Sequence, residues 1–268
     1  MKSSSIILTV HNKAWLLPKS LKAIQTLTNW DDTEIIFVVD GCTDDSLKII
    51  REWCRENVWD IETTVMISNN VFETKANNIG IKESIADYVI IIQDDQIPAE
   101  QDWNVRLLEP FMKWSDVFAV SAGCAHNWEY NIENKGSDIN GWSDLLNHIH
   151  HANKSNTERD IFAVRDSCNR GPLAIKLSDM YELCCFDEMF SPQDSDDHDL
   201  MYRAKKELNK MCGFYHVCFV SEAAWGGTRN EDGSTKQWML DANKKNAALL
   251  YERHKDVMHN HVIENRYI

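Results

Sequence analysis

Two groups of carboxylates stand where a reacting hydroxyl or a cation would need them. Gln93-Asp94-Asp95-Gln96 follows the apolar run Tyr88-Val89-Ile90-Ile91-Ile92, and Asp194-Ser195-Asp196-Asp197-His198-Asp199 precedes a stretch carrying Leu200, Ala204 and Leu208. Two carboxylates at the end of a buried strand repel each other unless a cation lies between them, so Asp94-Asp95 reads as a divalent-metal site. Ligation by oxygen alone favours magnesium or manganese over zinc. The second group can supply a general base, although a helix N-terminus also favours acids through its dipole alone. Two further polar clusters, His11-Asn12 and Asp40-Gly41-Cys42-Thr43-Asp44, follow the apolar runs 6–10 and 34–39. Asp40 beside Gly41 equally suits a plain turn. The chain has neither a GxGxxG fingerprint nor a GxxxxGK loop, so a nucleotide's phosphates would need another partner. His148, His150 and His151 have no HExxH pattern and no Cys at ligand spacing, and read as solvated loop residues.

These clusters serve one site only if the strands that carry them end on one edge. Runs 6–10, 34–39, 63–67 and 88–92 are short, β-branched and apolar throughout, as in strands buried on both faces of a parallel sheet. Helical segments alternate with them. Thr43 suits an N-cap, with Asp44 and Asp45 in the first turn and Leu47, Ile50 and Cys54 on one stripe; Pro18 suits the first turn of a helix carrying Leu21, Ile24 and Leu27. Residues 123–167 then turn polar, aromatic and histidine-rich, a length of weak periodicity that is more often functional than inert. Regular structure returns with a strand over 172–175, a helix over 196–208, a strand over 217–220 and a last helix that Ser234 caps. Alternating strands and helices imply right-handed crossovers and a doubly wound α/β sheet, whose ligands bind outside the strands' carboxyl ends.

Composition narrows the function classes. The 268 residues hold 28 Lys plus Arg and 42 Asp plus Glu, a formal charge of −14. Such a chain lacks the basic surface that nucleic acid requires. The eight cysteines have no CxxC spacing and lie in apolar runs, as reduced, buried thiols do. No run approaches the roughly 18 apolar residues of a membrane span, so the sequence-based expectation is a cytoplasmic protein, with peripheral membrane contact left open.

Five segments, taken in order, resemble the family-two glycosyltransferases of the GT-A fold. They are Ile6 to Asn12, Val38 to Asp44, Lys75-Ala76-Asn77-Asn78-Ile79-Gly80, Ile92 to Pro98, and Phe186-Asp187-Glu188 with Asp196-Asp197-His198-Asp199-Leu200. The resemblance is collinear over roughly residues 4 to 210, and five ordered motifs in strand and helix context are more specific than any one. It implies a GT-A-type, Rossmann-like, doubly wound and mostly parallel sheet with helices on both faces and a C-terminal helix. Residues 1–100 would form the nucleotide-sugar-binding half and 101–230 the acceptor-binding and catalytic half of the same domain, with 231–268 a helical tail. It further implies that Thr9, Val10, His11 and Asn12 line the nucleobase pocket, that Asp40 hydrogen-bonds the base, and that Lys75 and Asn78 approach base and phosphates. Gln93-Asp94-Asp95 falls on the family's DxD element, with Asp95 the ligand of Mn2+ or Mg2+ and Asp94 a helper near the sugar; Gln93 replaces the first acid. Asp196-Asp197 stands at the family's acid pair, Asp197 as catalytic base. The implied reaction is an inverting transfer of a sugar from a nucleotide-diphosphate donor, UDP ahead of GDP or dTDP, to a glycan or other hydroxyl acceptor, with a homodimer left open.

The family commonly takes a further metal ligand, often histidine, from the loop after the last core strand. Ser221 to Thr228 holds none, which leaves Glu222 or His216 as substitutes and Trp225 as a residue to stack on sugar. Trp128, Tyr130 and Trp142 could form an acceptor platform, and Arg170 could neutralise phosphate or position acceptor. The rival readings are a nucleotidyltransferase, whose glycine- and lysine-rich first loop is missing from residues 8–20, an inactive nucleotide-sugar-binding module, favoured by Gln93 alone, and a metal hydrolase on Asp94, Asp95 and His198.

Overall fold

Strand β1 (Ser4–Val10), helix α1 (Leu17–Leu27), β2 (Thr33–Asp40), α2 (Ser46–Glu56), β3 (Glu62–Ser68), α3 (Glu73–Glu83) and β4 (Tyr88–Gln93) follow one another along the chain. The computed structural model describes residues 3–129, 158–221 and 236–268, and the backbone of 130, 142–144 and 149–150. β1 pairs in parallel with β2 and with β4, and β2 with β3. Because side chains alternate across a strand, a continuous apolar run supplies two cores. Ile6, Leu8 and Val10 join Ile35, Phe37 and Val39 under Leu17, Leu21 and Ile24 of α1 and Ile50 and Trp53 of α2. Ile7, Ile36 and Val38 face the other way, against Ala76 and Ile81 of α3. Gly80 lets α3 lie close, since an added Cβ would come 2.5 Å from Ile7 Cγ2.

Among the described residues the main sheet has nine strands, in the order Glu264–Tyr267, Ile161–Arg165, Met211–Tyr215, Val117–Ser121, Leu173–Lys176, β4, β1, β2, β3. Leu173–Lys176 and Ile161–Arg165 run against the rest. The first reversal matters for function. Leu173 lies opposite Ile91 and Lys176 opposite Tyr88. The residues that enter this strand, Arg170 and Gly171, therefore reach the same edge at which β4 delivers Gln93 and Asp94.

Several elements differ from the sequence reading. α2 begins at Ser46 rather than at Thr43, because Asp44 accepts the N–H of Ser46 (3.0 Å) and of Ala14 (2.9 Å) and turns 43–45 into a loop tied to the end of β1. The core strand near 217–220 is instead Met211–Tyr215; Phe219–Ser221 pairs with Gln96–Pro98 outside the main sheet. Within the stretch read as loop, Ile161–Arg165 is a sheet strand and Cys124–His126 pairs with Ser167–Cys168. The helix from Asp196 is α-helical to Arg203 and continues as a wider π turn over Ala204–Leu208. The tail holds the expected helix, Gln237–His254, and also a strand, Glu264–Tyr267, secured by Arg266 to both carboxylate oxygens of Asp116 (2.7 and 2.9 Å). Ser234 lies outside the described residues. Among the described residues no helix is long and apolar enough to cross a membrane, and all eight cysteines are free thiols.

Candidate active site

The carboxyl ends of β1, β2 and β4 are tied together by polar groups. The His11 N–H donates to Asp94 Oδ2 (3.0 Å), and His11 Nδ1 lies 2.6 Å from the carbonyl oxygen of Asp40. Asn12, with φ 51°, accepts the Thr43 N–H at 2.7 Å. Thr9 and Val10 are buried within β1. Lys13, also buried, brings Nζ to 3.2 Å from Asp94 Oδ1. The repulsion between Asp94 and Asp95 that pointed to a divalent ion is thus met, at Asp94, by an ammonium group. Burial still pushes the Asp94 carboxyl up to about 6, against the pull of Lys13 and the His11 N–H. Asp95 sits half-buried in the turn beyond β4.

Two of the three residues expected near base and phosphates, Asp40 and Asn78, have definite structural roles. Asp40 accepts from Ser68 Oγ (2.8 Å), the Val71 N–H (2.7 Å) and the Phe72 N–H (2.9 Å), so its carboxylate builds the turn from β3 into α3. In that turn Phe72 takes φ 69°, a left-handed value that bulky residues rarely adopt. Asn78 exchanges hydrogen bonds with the backbone of Phe186 (3.1 and 2.9 Å) and donates to Glu188 Oε1 (3.3 Å), pinning α3 to the segment before the acidic run. Lys75 lies half-buried one turn earlier on α3.

The acid pair and the strand edge meet through Arg170. Its backbone N–H donates to Asp197 Oδ2 (3.1 Å), its guanidinium to Asp196, and its Nε lies 3.4 Å from Glu73 Oε1. The same Glu73 oxygen accepts from Gln93 Nε2 at 2.7 Å. A chain of contacts through Gln93 and Glu73, both half-buried, and the buried Arg170 and Asp196 therefore joins the end of β4 to the head of the helix Asp196–Arg203. Gly171 is required beside it. With φ 81°, an added Cβ would come 2.5 Å from Gln93 Oε1 and 2.6 Å from Gln96 Oε1.

The surroundings separate the acids. Burial, then the Asp197 and Asp196 charges, push Asp194 up to about 7, and burial pushes Asp196 up to about 6 despite Arg170. Burial acts on Asp197 too, but the charges of His198 and Arg170 and the N–H groups of both outweigh it and hold this carboxyl below its usual range. Of the pair, Asp197 is the member whose ionised form these surroundings favour and Asp196 the one they disfavour. His198 also meets Ser167 Oγ at 2.5 Å and lies edge-on to His126 and Trp128, whose rings stack 4.4 Å apart.

The structure brings His11, Asp40, Asp94 and Asp95 to one edge and Asp196 and Asp197 to the adjoining strand and helix ends. Sequence reasoning missed Lys13 and Glu73 and left Asp194 without a role. Lys13, a cation three residues past β1, and Glu73, an acid in the first turn of α3, were the available signals. Among the described residues no three His, Cys, Asp or Glu side chains gather as a metal cage. Magnesium-type ions take one or two carboxylates plus substrate phosphates, so Asp95 fits a cation held chiefly by a ligand. Of the expected sugar-contacting and ligand residues, Trp128 packs on His126 and His216 lies half-buried near Cys218. Glu222, Trp225, His148, His151 and the side chains of Tyr130, Trp142 and His150 lie outside the described residues.

Comparisons with known proteins agree with this architecture. The family model described as Glycosyl transferase family 2 matches residues 5–171, more than half of the chain. No curated protein sequence matches significantly. Among solved structures, GalNAc-T7 with UDP, GalNAc and Mn2+ superposes with TM-score 0.69 at 15% identity, covering 96% of this chain and 50% of that one. TarS from S. aureus gives TM-score 0.52 at 15% identity, covering 82% and 36%. TarS 1–349 in complex with UDP gives 0.53 at 12% identity, covering 82% and 59%. The chain thus spans between 36% and 59% of the length of these proteins, and the likeness is one of fold.

Proposed function

The chain belongs to glycosyl transferase family 2, and from that premise we propose that it moves a sugar from a nucleotide-diphosphate donor to a hydroxyl acceptor with inversion, Asp197 acting as general base. The observation that carries the reading is the Asp197 carboxylate, buried yet with its ionised form favoured beside Arg170, at the strand and helix ends that adjoin the edge where β1, β2 and β4 end. The acceptor hydroxyl gives its proton to Asp197 as its oxygen forms a bond to the anomeric carbon, and the bond from that carbon to the diphosphate oxygen breaks with its electron pair. His11 and Asn12 line the nucleobase side, and Asp40 supports that side by fixing the Phe72 turn. Asp95 would hold Mn2+ or Mg2+, which when bound offsets negative charge on the diphosphate. Lys13 keeps Asp94 oriented at that edge.

UDP is the first nucleotide to test, because two of the superposed proteins were crystallised with it. A screen of UDP-, GDP- and dTDP-sugars for nucleotide release is the deciding experiment. Release from one donor class is expected. Nucleotide affinity without release from any donor would instead identify an inactive binding module. Calorimetry of UDP with and without Mn2+ tests the cation, with the prediction that Asp95→Ala abolishes the metal-dependent part of the affinity.

A further inference from the structure

The acid pair follows a turn that the local chain does not favour. Asp194 and Ser195 both adopt left-handed backbone, φ 77° and 66°, although each carries a Cβ. Ser195 is the residue before the helix, its carbonyl accepting the Asp199 N–H at 2.8 Å. Something must hold this turn in place, and the contact comes from far along the chain. Asn246, fully buried on the C-terminal helix Gln237–His254, donates its side-chain amide to the carbonyls of Phe190 (2.6 Å), Gln193 (2.9 Å) and Asp194 (3.1 Å). Buried carbonyls need donors, and here the two hydrogens of one NH2 group are shared among three. The same helix also grips the residue two beyond Asp197. Asp199 accepts from His254 Nε2 (2.9 Å) and Arg253 Nη1 (3.2 Å).

We propose that Asn246 is a positioning residue for the transfer step, its amide fixing the left-handed turn that presents Asp196 and Asp197. The inference rests on the reading of Asp197 as the base. It makes the last helix part of the active site rather than an appended tail.

The test uses the full chain with Asn246→Ala. Hydrogen exchange over 190–199 should accelerate at least fivefold while β1 to β4 exchange as before. UDP affinity in Mn2+ should stay within twofold, and turnover of the donor that the wild type uses should fall at least fivefold with KM for that donor unchanged. Leu250→Ala is the control, since Leu250 shares an apolar cluster with Phe190 and Tyr202 and its side chain has no donor for the three carbonyls; its turnover per folded molecule should fall less than fivefold. A smaller loss in Asn246→Ala, a loss matched by UDP affinity, unchanged exchange over 190–199, or an equal loss in Leu250→Ala overturns the role of Asn246. If Asn246→Ala does not fold, Asn246→Ser is read by the same thresholds. A wild-type protein that releases nucleotide from no donor overturns the functional reading instead.

Discussion

Replacing Arg170 by glutamine should destabilise the protein in a pH-dependent way. The guanidinium is buried against Asp196 and Glu73, and Asp196 is fully buried with Oδ1 lacking a hydrogen-bond partner among the described residues. Removing one member of a buried ion pair leaves an uncompensated charge and costs about 3–5 kcal/mol. At about 2 °C per kcal/mol for a chain of this size, the melting temperature should fall by about 6–10 °C. The loss depends on the state of the acids. Asp196 and Asp194 are already pushed up to about 6 and about 7. An acid whose pKa is higher in the folded than in the unfolded state binds more protons when folded, so its contribution is full below its ordinary value near 4 and is lost as pH rises through the folded value. Without Arg170 both values climb further, and at pH 5 the acids are protonated and tolerate its absence. Thermal melts at pH 5 and pH 8 should therefore show the full drop at pH 8 and less than half of it at pH 5. Equal drops at the two pH values, or none at pH 8, would refute the assignment of Arg170 as the counter-ion of the acid pair.

Gly171→Ala forces a Cβ into left-handed backbone and against Gln93 and Gln96; a loss of about 2–3 kcal/mol is expected in urea unfolding, and an unchanged midpoint would contradict the packing described. Asp40→Asn turns an amide NH2 toward backbone donors that now bond a carboxylate oxygen, so melting should report about 1–3 kcal/mol of destabilisation and calorimetry a weaker UDP affinity. Equal UDP affinity in that variant would separate the Phe72 turn from nucleotide binding.

Strands β1, β2 and β4 were legible because residues such as Ile35 to Val39 are apolar on both faces, a pattern that only a doubly covered sheet satisfies; β3, read as buried in the same way, is instead the half-exposed edge strand, with Ile67 56% exposed. The acidic run was legible as the head of a helix. Other elements gave weaker or misleading signals. Met211–Tyr215 contains Gly213 and reads less like a strand than Val217 to Val220, yet it takes the sheet position because Val117–Ser121 and Ile161–Arg165 flank it. Glu264–Tyr267 is a polar edge strand with no apolar alternation, held by Arg266 and Asp116. The site's wiring was the least legible part. Lys13 with Asp94, Glu73 with Gln93 and Arg170, and Asn246 with Asp194 are pairs distant in sequence, so no local pattern announces them. Asp40 and Asn78 stood out as ligand contacts, and the structure gives each of them backbone partners.

The central claim is that Asp197 removes the proton from the acceptor. Asp197→Asn removes the charge at nearly the same volume but turns its NH2 toward the Arg170 or the His198 N–H, so rates are taken per folded molecule, and rate and affinity should part. With the nucleotide sugar that the wild type uses and its acceptor, initial rates of transfer should fall at least about 100-fold, while UDP affinity measured on the same preparation stays within about twofold. Transfer at the wild-type rate in Asp197→Asn would contradict the account.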